Sequence, residues 1–192
     1  MIRLSCKHTI VSVLILISSV SVFAQEWNSA RLTMLYGSSI PFNFNSISKI
    51  KNGITITPGT RLGISMADSA KVGHILQGFV LYSRAFNSQT NLRGEAANTL
   101  PLSKIRIKAE NYLGLGDGIT YGFKDLTSDW VPLFTYTKSP WVNLSWNTHQ
   151  LTITYDCGIP TESGGNGSLI GETPDYYNVE IEFELVPTGP GF

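Results

Sequence analysis

Three observations predict an all-β fold. Apolar residues alternate with a period of two in segment after segment. Turn-forming dipeptides punctuate those segments, and no stretch long enough for an ordinary helix carries a helical apolar stripe. The segments number about ten at short spacing, which predicts an immunoglobulin-like antiparallel β-sandwich. Composition agrees. Of the 192 residues 15% are charged and 11% aromatic, with 18 Gly and 9 Pro, which excludes disorder and coiled coil.

The elements follow in order. Leu32, Met34 and Tyr36 alternate, as do Phe42 and Phe44, before Ile47 breaks phase and predicts a bulge near Asn45–Ser46. Asn52-Gly53 predicts a turn, and Ile54 and Ile56 begin the next strand. Pro58-Gly59 punctuates again before Leu62 and Ile64. Residues 68–76 hold the best helix candidate, limited to one or two turns by Gly73. Residues 78–86 are apolar on both faces through Phe79, Val80, Leu81 and Tyr82, which predicts a central strand. Ile105, Ile107 and Ala109 interleave with Lys104, Arg106 and Lys108, a half-buried strand with a basic outer face. Residues 131–137, 142–146 and 151–155 are three further candidates. The clearest alternation comes last, with Tyr177, Val179, Ile181, Phe183 and Leu185 on one face and Asn178, Glu180, Glu182 and Glu184 on the other. Two long loops are expected, over 87–99 and over 158–175 with its Gly164-Gly165-Asn166-Gly167 centre.

The first residues read as an address. Arg3 and Lys7 precede an apolar run over 10–22, diluted by serines, and Val22-Phe23-Ala24 offers small residues at a cleavage site. This predicts a secretory signal over residues 1–24, cleaved after Ala24, with residues 25–192 as a single β-sandwich domain. The run is too short and too Ser-rich to anchor the chain as a membrane span, and no later segment is apolar enough to do so. The expected location is secreted, in the periplasm or at the cell surface. Without Arg3 and Lys7 the domain carries 12 basic and 14 acidic groups, net −2. Such a chain offers no positive field for nucleic acid.

Few residues carry chemistry. Cys157 is the one cysteine beyond the signal, so no intrachain disulfide is expected, and a buried strand-end thiol is its reading. His74 and His149 are far apart in sequence and stand at no zinc-ligand spacing, so no metal and no cofactor are expected. The Gly114–Gly118 run has Asp117 alone and reads as a turn. His149 and Cys157 flank one strand, which holds them roughly 20 Å or more apart at about 3.3 Å per residue. No Gly-x-Ser-x-Gly elbow is present. The sequence therefore predicts a protein that is not an enzyme, with a small secreted hydrolase as the remote alternative.

Aromatic residues are the one enrichment that suggests a ligand. Trp130, Trp141 and Trp146 cluster in sequence. Parity places Trp146 inward with Val142 and Leu144, and Trp141 outward beside Asn143 and Ser145. Trp130, in a turn, and Trp141 are then the candidate residues for stacking a sugar ring. A core role for the group is the competing reading.

The stretch Leu151-Thr-Ile-Thr-Tyr-Asp156, a Gly-rich loop, and Pro174-Asp-Tyr-Tyr-Asn-Val-Glu-Ile-Glu-Phe-Glu-Leu185 resembles the end of secreted fimbrial-type and spore-coat-U-type β-sandwich subunits. The chain departs from chaperone–usher pilins in lacking their cysteine pair and in its Pro- and Gly-rich last residues. The resemblance implies a non-catalytic bacterial surface protein with a structural or adhesive, fimbria-like role. Its expected partners are other surface or fimbrial subunits, or glycans. A secreted carbohydrate-binding module is the alternative.

Overall fold

A computed structural model of the chain describes residues 28–68 and 75–192. The expected export segment lies outside the described residues, as do residues 69–74 of the helix candidate. The described residues form twelve strands: β1 (Asn28–Tyr36), β2 (Ile54–Asp68), β3 (Gly78–Ala85), β4 (Asn91–Gly94), β5 (Thr99–Pro101), β6 (Ile105–Leu113), β7 (Ile119–Thr120), β8 (Lys124–Asp125), β9 (Val131–Thr137), β10 (Gln150–Cys157), β11 (Tyr177–Asn178) and β12 (Ile181–Thr188). One short helix, α1 (Ile47–Asn52), precedes β2.

The fold is the all-β sandwich that the alternation predicts. A five-stranded sheet in the order β1-β2-β10-β6-β8 faces a four-stranded sheet in the order β12-β3-β9-β7, and β11-β4-β5 form a small third sheet. Every strand pairing is antiparallel. Twelve strands appear where about ten are predicted, because two-residue strands such as β7 and β8 are too short to show alternation.

The core lies between the two larger sheets. Leu62, Ile64, Ile107, Ala109, Leu151 and Ile153 come from one, and Phe79, Leu81, Leu133 and Phe134 from the other. Strand β3 is central, as its two apolar faces predict, with Phe79, Leu81, Ser83 and Ala85 buried. Strand β6 buries Ile105, Ile107 and Ala109 and turns Arg106 and Lys108 outward. The Tyr155 hydroxyl donates to Thr60 Oγ1 at 2.9 Å, and Thr60 donates on to the Gly37 carbonyl at 2.7 Å. This relay ties β10 to β2 and to the end of β1.

Several expectations are corrected. Phe42 and Phe44 lie in no strand; their rings stack with centroids 6.4 Å apart and pack half-buried against the core. The phase break at Ile47 is a helix, not a bulge. Ser46 Oγ caps it by accepting from the Lys49 amide at 3.3 Å. Gly53 closes it with φ of 74°, a left-handed value that glycine tolerates, so Asn52-Gly53 is a helix end rather than a hairpin turn. Pro58-Gly59 falls inside β2. The expected loop over 87–99 contains β4 and leads into β5, its hairpin partner.

The final strand is also divided. Tyr177 and Asn178 pair with β4, whereas 181–188 pair with β3 in another sheet. The phase is as predicted, because Ile181, Phe183 and Leu185 oppose the buried Ala85, Ser83 and Leu81. Burial is only partial, since β12 is an edge strand with one neighbour. Residues 142–146 form no strand. Leu144 makes an isolated bridge to Met66, and the chain then turns over Ser145–His149. Among the described residues no helix is long and apolar enough to cross a membrane.

Candidate functional site

Trp130 and Trp141 are not brought together. Trp130 lies against Arg84, whose guanidinium carbon is 4.4 Å from the ring centroid. Arg84 alternates with the buried Ser83 and Ala85, so this contact is on the outer side of the four-stranded sheet. Trp141 packs edge-on against Tyr136, 6.3 Å between centroids, and Tyr136 contacts Phe79 in the core. The two tryptophans therefore occupy opposite sides of one sheet. The orientation expected from parity is reversed as well: Trp141 is half-buried against the core and Trp146 is 48% exposed. Parity fails because it assumes an extended strand, and residues 145–149 form a turn.

The turn puts Trp146 in a different place. Leu62 and Ile64 face the core, so Gly63 between them faces outward on the five-stranded sheet. A Cβ built on Gly63 would meet Trp146 Cβ and its carbonyl oxygen, each at 2.9 Å. Trp146 thus sits directly on the outer face, held there by its amide donating to Ser65 Oγ at 3.1 Å. A glycine at 63 is what allows the turn to approach the sheet so closely.

Two residues before Gly63, on the same face, Arg61 lies between two tyrosines. Its guanidinium carbon is 3.4 Å from the Tyr112 ring centroid and 5.1 Å from that of Tyr36. Tyr36 opposes Arg61 on β1. Tyr112 comes from β6, two residues beyond Glu110, which stands across Thr152 of β10 from Arg61. Tyr36, Tyr112 and Trp146 are all exposed. The side-chain polar atoms that are buried and lack a partner among the described residues are Thr33 Oγ1, Arg61 Nε and Trp141 Nε1. Thr33 opposes Gly63, so two of the three fall on this patch.

The far end of the same face is closed by charge. Arg106 on β6 and Asp156 on β10 form a two-point pair, Nε–Oδ1 3.0 Å and Nη2–Oδ2 2.5 Å. Arg106 also donates to the Gly164 carbonyl, and Lys104 Nζ reaches the Ser168 carbonyl at 3.1 Å and Glu172 at 2.9 Å. These bonds fasten the 158–175 loop over the end of β10. Cys157, beside this network, is buried. Burial first and the Asp156 charge second push its thiol up to about 12, against the opposing pull of Lys104. It is protonated at neutral pH, which suits the structural reading and not a nucleophile. His149 and Cys157 stand at opposite ends of β10, as expected. Among the described residues no group of three His, Cys, Asp or Glu side chains could hold a metal ion.

A sheet face bearing Tyr36, Arg61, Tyr112 and Trp146 defines a surface suited to binding rather than an enclosed cleft. The chain matches no protein-family model and no curated protein sequence. Sequence reading missed this patch because its members come from β1, β2, β6 and a turn. The one local signal was Gly63 between the bulky Leu62 and Ile64, which marks a close approach.

Proposed function

We propose that the chain is an exported, non-catalytic β-sandwich with an adhesive or structural role at the bacterial cell surface. Its partner surface is the outer face of the five-stranded sheet. The observation that carries this reading is the grouping on one face of Arg61 with the exposed rings of Tyr36 and Tyr112 over it and the exposed Trp146 at Gly63, two residues along β2. Tyrosine, tryptophan and arginine are the residue types that carry most binding energy at protein surfaces. The N-terminal address and the resemblance to fimbrial-type subunits favour work outside the cytoplasm. The buried, protonated Cys157 disfavours a thiol hydrolase.

The test has two parts. The full chain is expressed in a Gram-negative host, fractionated and sequenced from its N-terminus. An exported protein beginning at Gln25 supports the reading, and a cytoplasmic protein retaining Met1 overturns it. The purified protein is then immobilised and tested for retention of bacterial cells. Retention that falls with Tyr112→Ala supports an adhesive face; undiminished retention by that variant overturns the assignment of the face.

A further inference from the structure

Three arginines in the described residues lie over aromatic rings: Arg61 on Tyr36 and Tyr112, Arg84 on Trp130, and Arg106 on Phe123. Two of them are completed by a carboxylate. Arg84 Nε meets Glu182 at 2.6 Å, and Arg106 grips Asp156 at two points. Arg61 lies over two rings, Tyr112 at 3.4 Å and Tyr36 at 5.1 Å, yet no carboxylate among the described residues pairs with it. We propose that the missing carboxylate belongs to the ligand, and that this face binds a carboxylate-bearing polysaccharide such as a polyuronate. The inference deepens the proposed function and rests on the outer face being the binding surface.

The chemistry fits in three respects. Stacking on Tyr112 at 3.4 Å restrains the guanidinium, and with Nε buried it is the terminal Nη1–Nη2 edge that is left to donate two parallel hydrogen bonds to a planar carboxylate. Trp146 stands over Gly63, two residues along β2 from Arg61, or about 7 Å at the rise of a strand. A sugar unit next to the bound uronate can lay its C–H face on that exposed indole, burying apolar surface. The remaining charge on the face is favourable. Arg31 is exposed on the same side as Ser65 and Gly63, and Lys108 already holds Glu110 at 3.0 Å, so Glu110 is screened from an incoming anion. The surface is an open sheet without a deep slot, which suits a long polymer lying across it.

Binding is measured by affinity electrophoresis and calorimetry at near-physiological salt. The probes are polygalacturonate and alginate, with fully methyl-esterified polygalacturonate, dextran and poly-glutamate for comparison. The expected result is binding to at least one polyuronate, and binding at least about tenfold weaker to the methyl ester, the scale of one charge-assisted hydrogen-bonded contact. Arg61→Gln should lose about the same factor, and Trp146→Ala should weaken binding several-fold. Arg84→Gln, on the other sheet, should leave it unchanged. Circular dichroism and thermal melts establish that each variant is folded. A folded wild-type protein that binds neither polyuronate overturns the proposal. So does a folded Arg61→Gln variant that binds as well as wild type, or poly-glutamate binding as tightly as polyuronate. Cell retention that persists without polyuronate binding would refute the ligand class alone; loss of both would remove the binding face itself.

Discussion

Arg106 and Asp156 oppose each other on β6 and β10 and form a two-point ion pair whose side chains are 12% and 3% exposed. A pair this deep is costly to break from one side, because the survivor is left as an uncompensated buried charge. The same arginine donates to the Gly164 carbonyl, so the pair also carries the loop above it.

Asp156→Ala should therefore destabilise the fold by about 3–5 kcal/mol. Urea titration measures the loss. Hydrogen exchange should show the 158–175 loop opening before the sheet does. Glu182→Gln is the contrast. Its pair with Arg84 is 27% exposed on each side, and its removal should cost under about 1 kcal/mol.

Alkaline pH should weaken the protein through Cys157 and Tyr155. Burial raises the Cys157 thiol from 9.0 to about 12, and raises the Tyr155 phenol from 10.0 to about 12. Each folded-state value lies above the unfolded one. The stabilisation is complete below the unfolded values and is lost as pH climbs toward 12, from about 9 for Cys157 and from about 10 for Tyr155, at roughly 1.4 kcal/mol per pH unit for each group. Denaturation of the wild type and of Cys157→Ala at pH 7.5 and pH 10 separates the thiol's share. The variant should show the flatter profile.

Native Cys157 should resist thiol reagents at pH 7.5 and react fully once the chain is unfolded. Labelling with a maleimide, with and without urea, measures this. Rapid labelling of the folded protein would contradict the burial of the thiol.

Gly63→Ala should displace the Ser145–His149 turn and cost about 1–3 kcal/mol, the range for overpacking. The clash is with Trp146 Cβ and its backbone oxygen, atoms that alanine also possesses. The second substitution Trp146→Ala should therefore give no rescue. Thermal melts of the single and double variants provide the check.

Removing residues 175–192 should abolish cooperative folding, because β12 pairs with β3 along its whole length and Ile181, Phe183 and Leu185 cover the core. Phe183→Ala alone should cost about 1–3 kcal/mol, below the usual loss for a fully buried phenylalanine, since β12 is an edge strand and its side chains are only half covered. A truncated chain that remains monomeric with a cooperative melt would contradict the first expectation.

The sequence by itself determined the fold class, the central place of β3 and the inward phase of β6 and β12. Those properties follow from a local period of two, which each strand carries within its own residues. It also carried the helix start at Ser46 and stop at Gly53, although one strand-like pair, Phe42 and Phe44, masked them. Tertiary structure alone decided the separation of Trp130 from Trp141, the reversal of Trp141 and Trp146, and the division of the last alternating run between two sheets. Parity predicts facing only while the backbone stays extended, and a turn at Ser145–His149 cancels it. The clamp of Tyr36 and Tyr112 on Arg61 joins residues from three strands of one sheet. Strand order places them side by side, and strand order is set by the packing of the whole sandwich.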